Sequence, residues 1–192
     1  MASNDLDERT IASIKEQGGQ IAVWGVGTKL VTGHDQPALG GVYKLAAIRK
    51  PNGVWHTCIK LSEQSVKMSI PGIQNVRRFV IDGKAVGDVI WDELEEVPQF
   101  WTMVDTTDST HCKQMPVGVA GEDLLLPVLR AGKQVCNLPS LPKIQARTKE
   151  QLALFHNGVK RLDNPHRYPV GLEAGLHLRR TEMVREAKNR IA

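Results

Sequence analysis

No stretch of this sequence is apolar for the roughly 20 residues that a membrane-spanning helix needs. The opening MASNDLDERT is polar and acidic, so it does not read as a signal or transit peptide. Cysteine is scarce. Cys58, Cys112 and Cys136 are odd in number and far apart, which argues against a disulfide framework and fits reduced thiols in a cytoplasmic protein. The six histidines have no metal-ligand spacing; His111 and Cys112 adjoin, but no third and fourth ligand lies near them. Trp24, Trp55, Trp91 and Trp101 are too dispersed for a nucleic-acid stacking platform. A block of one charge is also missing: 25 Lys and Arg face 21 Asp and Glu, and the mild basic excess after residue 142 reads as a solvated face. The expectation is no nucleic acid and no membrane, while a small anionic substrate fits the charge. No internal repeat or low-complexity tract is present.

What is there begins with a βα-like unit. DERTIASIKEQ, residues 7–17, has Ile11 and Ile14 spaced for one helix face, and Asp7 and Glu8 suit the positive end of the helix. Asp5 is the expected N-cap and Gly18–Gly19 the stop. Residues 21–24 then read as a strand ending in glycine. A strand after such a helix normally returns beside an earlier parallel strand. Only Met1 and Ala2 precede the SNDLD loop, so that partner strand is expected not to be encoded. Past residue 40 the pattern turns to strands, with turns at Pro51–Asn52–Gly53, Pro71–Gly72, Asp82–Gly83 and Ala131–Gly132. Residues 95–122 lack a period and are expected as an irregular loop. A helix follows from Ser140, with Ile144, Leu152 and Phe155 as its apolar side, and a last helix spans 172–190.

Two short stretches carry the chemistry. GVGT, residues 25–28, closes a predicted parallel strand, where α/β proteins place ligands. Glycines there let backbone N–H groups face an anion, and Thr28 adds a hydroxyl. The same four residues also read as a tight turn that glycine merely permits. Ser3, Asn4 and Asp5 lie at the equivalent end of the preceding strand and would face the same pocket; Asp5 suits a ribose hydroxyl or a metal-bound water. The neighbours His34 and Asp35 are weak evidence for acid–base work, because adjacent side chains usually diverge. The pairs Arg77–Arg78 and Arg179–Arg180 read as salt-bridge partners before phosphate ligands.

The words SNDLDE, WGVGTKLVTGHDQPALGGVYKLAAIRK, IKLSEQSVKMSIPGIQNVRRF, LLPVLRAGKQV, LPSL and NPHRYPVGL stand in the order found in bacterial nicotinate phosphoribosyltransferases, which the chain resembles from residue 2 to about residue 185. The resemblance implies an incomplete α/β barrel of the type II phosphoribosyltransferase kind over residues 1–40. A strand-rich segment of a second domain over 41–140 and C-terminal helices over 141–192 would follow. It implies the joining of nicotinate to phosphoribosyl pyrophosphate, giving nicotinate mononucleotide and pyrophosphate, a glycosyl transfer coupled to ATP and served by Mg in the full-length enzyme. The loops of Ser3, Asn4 and Asp5 and of Gly25, Val26, Gly27 and Thr28 then hold the phosphate of the phosphoribosyl group, and the DQPALGGVYKL part is architecture. The family's phosphorylated histidine, its nicotinate-clasping arginines and aromatic residue, and its acidic magnesium loop have no counterpart here. The expectation is a C-terminal fragment, a split or misassigned reading frame, or a truncated product, inactive alone. It would pair as a homodimer or with a separately encoded N-terminal half. The competing reading is a non-catalytic subunit or interaction module docking onto a complete or split enzyme.

Overall fold

The computed structural model describes residues 1–38, 40–63 and 67–190. Leu39, the Ser65 start of the expected strand run and the last two residues lie outside the described residues. The chain divides into two compact units, Met1–Tyr43 with Arg161–Pro165, and Lys44–Lys160 with His166–Ala192.

The smaller unit holds β1 (Ala2–Ser3), α1 (Glu8–Glu16), β2 (Trp24–Gly25) and α2 (Thr28–Thr32). β1 and β2 pair in parallel, with Ala2 opposite Trp24 and Ser3 opposite Gly25. The parallel partner expected to be missing is therefore supplied by Ala2 and Ser3 themselves; two residues suffice because the Ala2 amide reaches the Val23 carbonyl at 2.9 Å. The N-cap is Asp7, not Asp5. Asp5 sits at φ +46°, in the left-handed region, whereas Asp7 is extended and its carboxylate accepts from the Thr10 amide at 2.7 Å. Gly18 at φ +84° ends α1 as expected; its amide donates to the Lys15 carbonyl and the Gly19 amide to the Ile14 carbonyl.

The larger unit is built on a hairpin. β5 (Gln74–Ile81) and β6 (Lys84–Asp92) turn through Asp82 and Gly83, both at positive φ, the geometry that an Asp-Gly pair favours. Around it stand β7 (Thr102–Asp105), β8 (Cys112–Gln114), β9 (Gly121–Asp123) and β12 (Val170–Glu173), in the order β8-β7-β12-β6-β5-β9. β12 is parallel to β6 and antiparallel to β7. Two hairpins stand outside this sheet, β3 (Ala47–Arg49) with β4 (Trp55–Thr57), and β10 (Leu129–Arg130) with β11 (Lys133–Gln134). They turn at the expected Pro51–Gly53 and Ala131–Gly132, though their strands are shorter than the apolar runs suggested.

Two expectations are corrected here. Residues 95–122 are not an irregular loop: they carry β7 and β8, and Trp101, Met103, Val104 and Met115 from this stretch are buried. Short strands interrupted by polar turns leave no period to read. The final helix α4 is Ala174–Asn189, and residues 170–173, partly assigned to it, form a central strand, β12. The segments 41–140 and 141–192 consequently share one sheet.

Period-two alternation along β6 separates the two faces of that sheet. Val89 and Trp91 join Phe79, Trp101, Met103 and Met115 in the apolar core, where the Trp91 and Trp101 rings meet edge to face at 5.9 Å. Asp88 and Asp92 point the other way and are paired. Arg78 grips Asp88 at 2.8 and 2.7 Å while donating to Gln151 of α3 (Leu141–Leu154), and Arg179 of α4 reaches Asp92 at 2.6 Å. Arg77 grips Asp123 across the β5–β9 pair at 2.7 and 2.6 Å and stacks over Trp101. Three of the four arginines in the two pairs are thus salt-bridged, as expected. The apolar side expected of α3 is not a buried face: Ile144 and Leu152 are exposed, and the Ser140 hydroxyl makes no capping bond despite its correct position.

Candidate functional site

The parallel ladder of β1 and β2 brings the two expected loops side by side. Ser3 lies directly across from Gly25, and a Cβ built on Gly25 would stand 3.2 Å from the Ser3 Cβ. The close approach explains why glycine ends this strand. Asn4 at φ +88° and Asp5 at φ +46° turn the chain sharply out of β1. Asn and Asp are the side-chain-bearing residues that tolerate this backbone region best. Among the described residues, the side chains of Ser3, Asn4, Asp5 and Thr28 have no hydrogen-bond partner, and Ser3, Asn4, Asp5, Gly25, Gly27 and Thr28 are exposed. Gly27 caps α2 from a position where an added Cβ would meet nothing within 4 Å. As at any helix start, the first amides of α2 lack acceptors inside the helix.

Asp7 and Lys29 form the link between the loops that sequence reasoning missed. One Asp7 oxygen caps α1, and the other pairs with the Lys29 ammonium on α2. Lys29 and then the Thr10 amide hold the Asp7 carboxyl well below the usual range, and Asp7 in turn raises Lys29. The segment after β1 is thereby tied to the segment after β2. A signal was available: Asp7 is the extended acid immediately before the apolar period of α1, and Lys29 follows the glycine loop by two residues.

A cavity of about 480 Å³ opens beside this link, lined by Asp7, Lys29, Leu30, His34 and Asp35 among others. Of the seven expected phosphate-site residues only Val26 lines it; the other six lie on the loops themselves. His34 and Asp35 both face the cavity although they are neighbours in sequence, because the left-handed Gly33 that ends α2 turns the chain back on itself. Among the described residues no group of three His, Cys, Asp or Glu side chains is placed to hold a metal ion, and no helix is long and apolar enough to cross a membrane.

Residues 73–179 match the family model described as Nicotinate phosphoribosyltransferase C-terminal domain. The nicotinate phosphoribosyltransferase of Bacillus subtilis (strain 168) is 35% identical over 195 residues, covering 100% of this chain and 39% of that protein. The human nicotinate phosphoribosyltransferase is 32% identical over 181 residues, covering 92% of this chain and 32% of that protein. The crystal structure of human nicotinic acid phosphoribosyltransferase superimposes with a TM-score of 0.67 at 24% identity, over 95% of this chain and 32% of that one, and shows a shared fold. The chain spans well under half the length of these relatives. Both loops lie outside residues 73–179 but inside the stretch aligned with the Bacillus protein.

Proposed function

Because the chain belongs to the nicotinate phosphoribosyltransferase family, we propose that it forms the C-terminal part of an enzyme joining nicotinate to phosphoribosyl pyrophosphate in NAD salvage. Its own task in that reaction is to hold the phosphate of the phosphoribosyl group. The observation that carries this reading is the parallel pairing of Ser3 with Gly25, which sets two loops with unsatisfied polar groups against each other. Backbone amides at Val26 and Gly27, with the Ser3 and Thr28 hydroxyls and the Asn4 carboxamide, supply donors for an anion, while the Gly25 amide is taken up by the parallel ladder. Asp5, an acceptor only, suits a ribose hydroxyl better than a phosphate oxygen. In the transfer, the bond from ribose C1 to pyrophosphate breaks as the bond to the nicotinate nitrogen forms. Fixing the far end of the sugar limits the motion of C1 while positive charge develops there.

The β1–α1–β2 unit is, on this reading, part of the type II α/β barrel. Mg and ATP belong to the proposed full-length reaction. The described residues offer no three-ligand cluster for a metal. The exposed side chains of Leu126, Leu129, Leu138 and Leu141 are compatible with an assembly that covers them, by a second copy or by a separately encoded N-terminal half. The three free cysteines suit a cytoplasmic setting.

Calorimetric titration of the chain with ribose 5-phosphate tests the cradle. Saturable binding is expected, and Gly27→Ala should weaken it by about tenfold or more, since the new methyl meets open space in the fold but not in an occupied site. Wild-type protein that ignores the sugar phosphate, or a variant that binds it equally well, would refute the assignment. Incubated alone with nicotinate, phosphoribosyl pyrophosphate, Mg and ATP, the chain should form no mononucleotide, because none of its six histidines stands in the family's phosphorylation motif.

A further inference from the structure

The larger unit holds a cavity of about 400 Å³ on the helix-bearing face of its sheet. Its walls are largely apolar: Ile90 of β6, Val170 of β12, and Met68 and Ile70 from the preceding segment. Most of the polar side chains at its edge are already engaged. Arg167 pairs with Asp105 at 2.9 Å, the Thr107 hydroxyl donates to the same carboxylate at 2.6 Å, and the Tyr168 hydroxyl donates to Asp88 at 2.8 Å.

Arg180 differs. Its Nε donates to the Ser69 carbonyl at 3.2 Å, and no carboxylate among the described residues lies within ion-pair distance of it. The adjacent Arg179, one residue earlier on α4, takes both Asp92 and Glu95. Burial, with no acidic neighbour to offset it, pulls the Arg180 pKa down, yet a guanidinium stays protonated at any physiological pH. The cavity therefore contains one uncompensated positive charge beside apolar walls. The exposed Thr106 hydroxyl, also at the cavity, has no partner among the described residues.

We propose that this cavity binds a small organic monocarboxylate with an apolar body, its carboxylate on Arg180 and Thr106 and its body against Ile70, Ile90 and Val170. The volume lies within the roughly 300–1,000 Å³ of small-molecule sites. One free guanidinium balances one negative charge, with the fork geometry that a carboxylate matches. A phosphate dianion would bring a second charge close to the Asp105 carboxylate, with no second free cation to meet it. The site is independent of the sugar-phosphate loops, which lie in the other unit.

Benzoate is a suitable probe, since it has the carboxylate and the ring without the ring nitrogen of nicotinate. Titrated into the full chain, it should bind saturably and shift the methyl resonances of Ile70, Ile90 and Val170. Benzyl alcohol should not bind, and inorganic phosphate should not displace benzoate. Arg180→Gln should weaken benzoate by about tenfold or more. Thr106→Val, on an exposed turn where folding is not at issue, should weaken it severalfold. Absence of saturation, shifts confined to other residues, equal competition by phosphate, or unchanged affinity in folded Arg180→Gln would each overturn the proposal. Ribose 5-phosphate binding reports on the other unit, so either result can fail without the other.

Discussion

The two units are stabilised in different ways. Among the described residues the smaller contributes a single side chain, Leu6, to the buried hydrophobic residues, and its two strands have two residues each. Its internal ties are polar: Asp7 with Lys29, and Arg9 with Asp163. The larger has a six-stranded sheet, a core around Trp91 and Trp101, and carboxylates gripped by arginines on its opposite face. Burial of apolar area is the dominant favourable term in folding, whereas exposed ion pairs contribute little. The unit proposed to hold the sugar phosphate is thus the one with least internal support. Few buried contacts also place it at the low-stability end of local opening.

The largest expected effect that sharpens this contrast falls on the larger unit. Arg78→Ala removes the fork on Asp88, whose side chain is 10% exposed against 12% for Arg78. Leaving a buried carboxylate with the Tyr168 hydroxyl but no cation should cost about 3 kcal/mol, read as a lower urea midpoint. Leu172→Ala on the central strand β12, at 0% exposure, should cost about 2–5 kcal/mol in the same experiment. If either variant melts like the wild type, the larger unit is not the source of stability.

A smaller effect is expected in the other unit. Asp7 is held below its unfolded pKa, so its contribution is present above the unfolded aspartate value of about 3.9 and is lost as pH falls below it towards the folded value. Hydrogen exchange of the Thr10 amide and the α1 amides should therefore gain protection between acid and neutral pH. Asp7→Asn should abolish most of that gain while leaving amides of β6 unaffected. An unchanged pH profile in the variant would break the assignment of Asp7 as the link. The smallest effect is expected at Ile144→Ser on the exposed side of α3. It should shift the isolated chain by no more than about 0.5 kcal/mol, because the residue is already 46% exposed.

Turns were the most legible feature of the sequence, because their chemistry is local. Asp82–Gly83 and Ala131–Gly132 need positive φ, and the residues that tolerate it are few. The adjacency of the Ser3 and Gly25 loops was legible for a similar reason: a helix of known length between two short strands implies parallel return. Residues 95–122 were illegible because Trp101, Met103 and Met115 acquire their burial from partners far along the chain, Phe79 and Val89, and not from a period of their own. Residues 172–173 read as a helix start because VGLE has neither alternation nor length; only pairing on both sides, with β6 and β7, makes 170–173 a strand.

The sequence alone determined the glycine-bounded turns, the small polar loops at 3–5 and 25–28, and the family to which their words belong, since these depend on neighbouring residues and backbone sterics. The tertiary structure decided which charges are neutralised and which are not. Arg179 and Arg180 are adjacent and chemically identical. They differ because the turn of α4 carries one towards Asp92 and Glu95 and leaves the other beside Ser69 at a cavity without a carboxylate for it. Electrostatic energy depends on distance and desolvation, and neither is written along the chain.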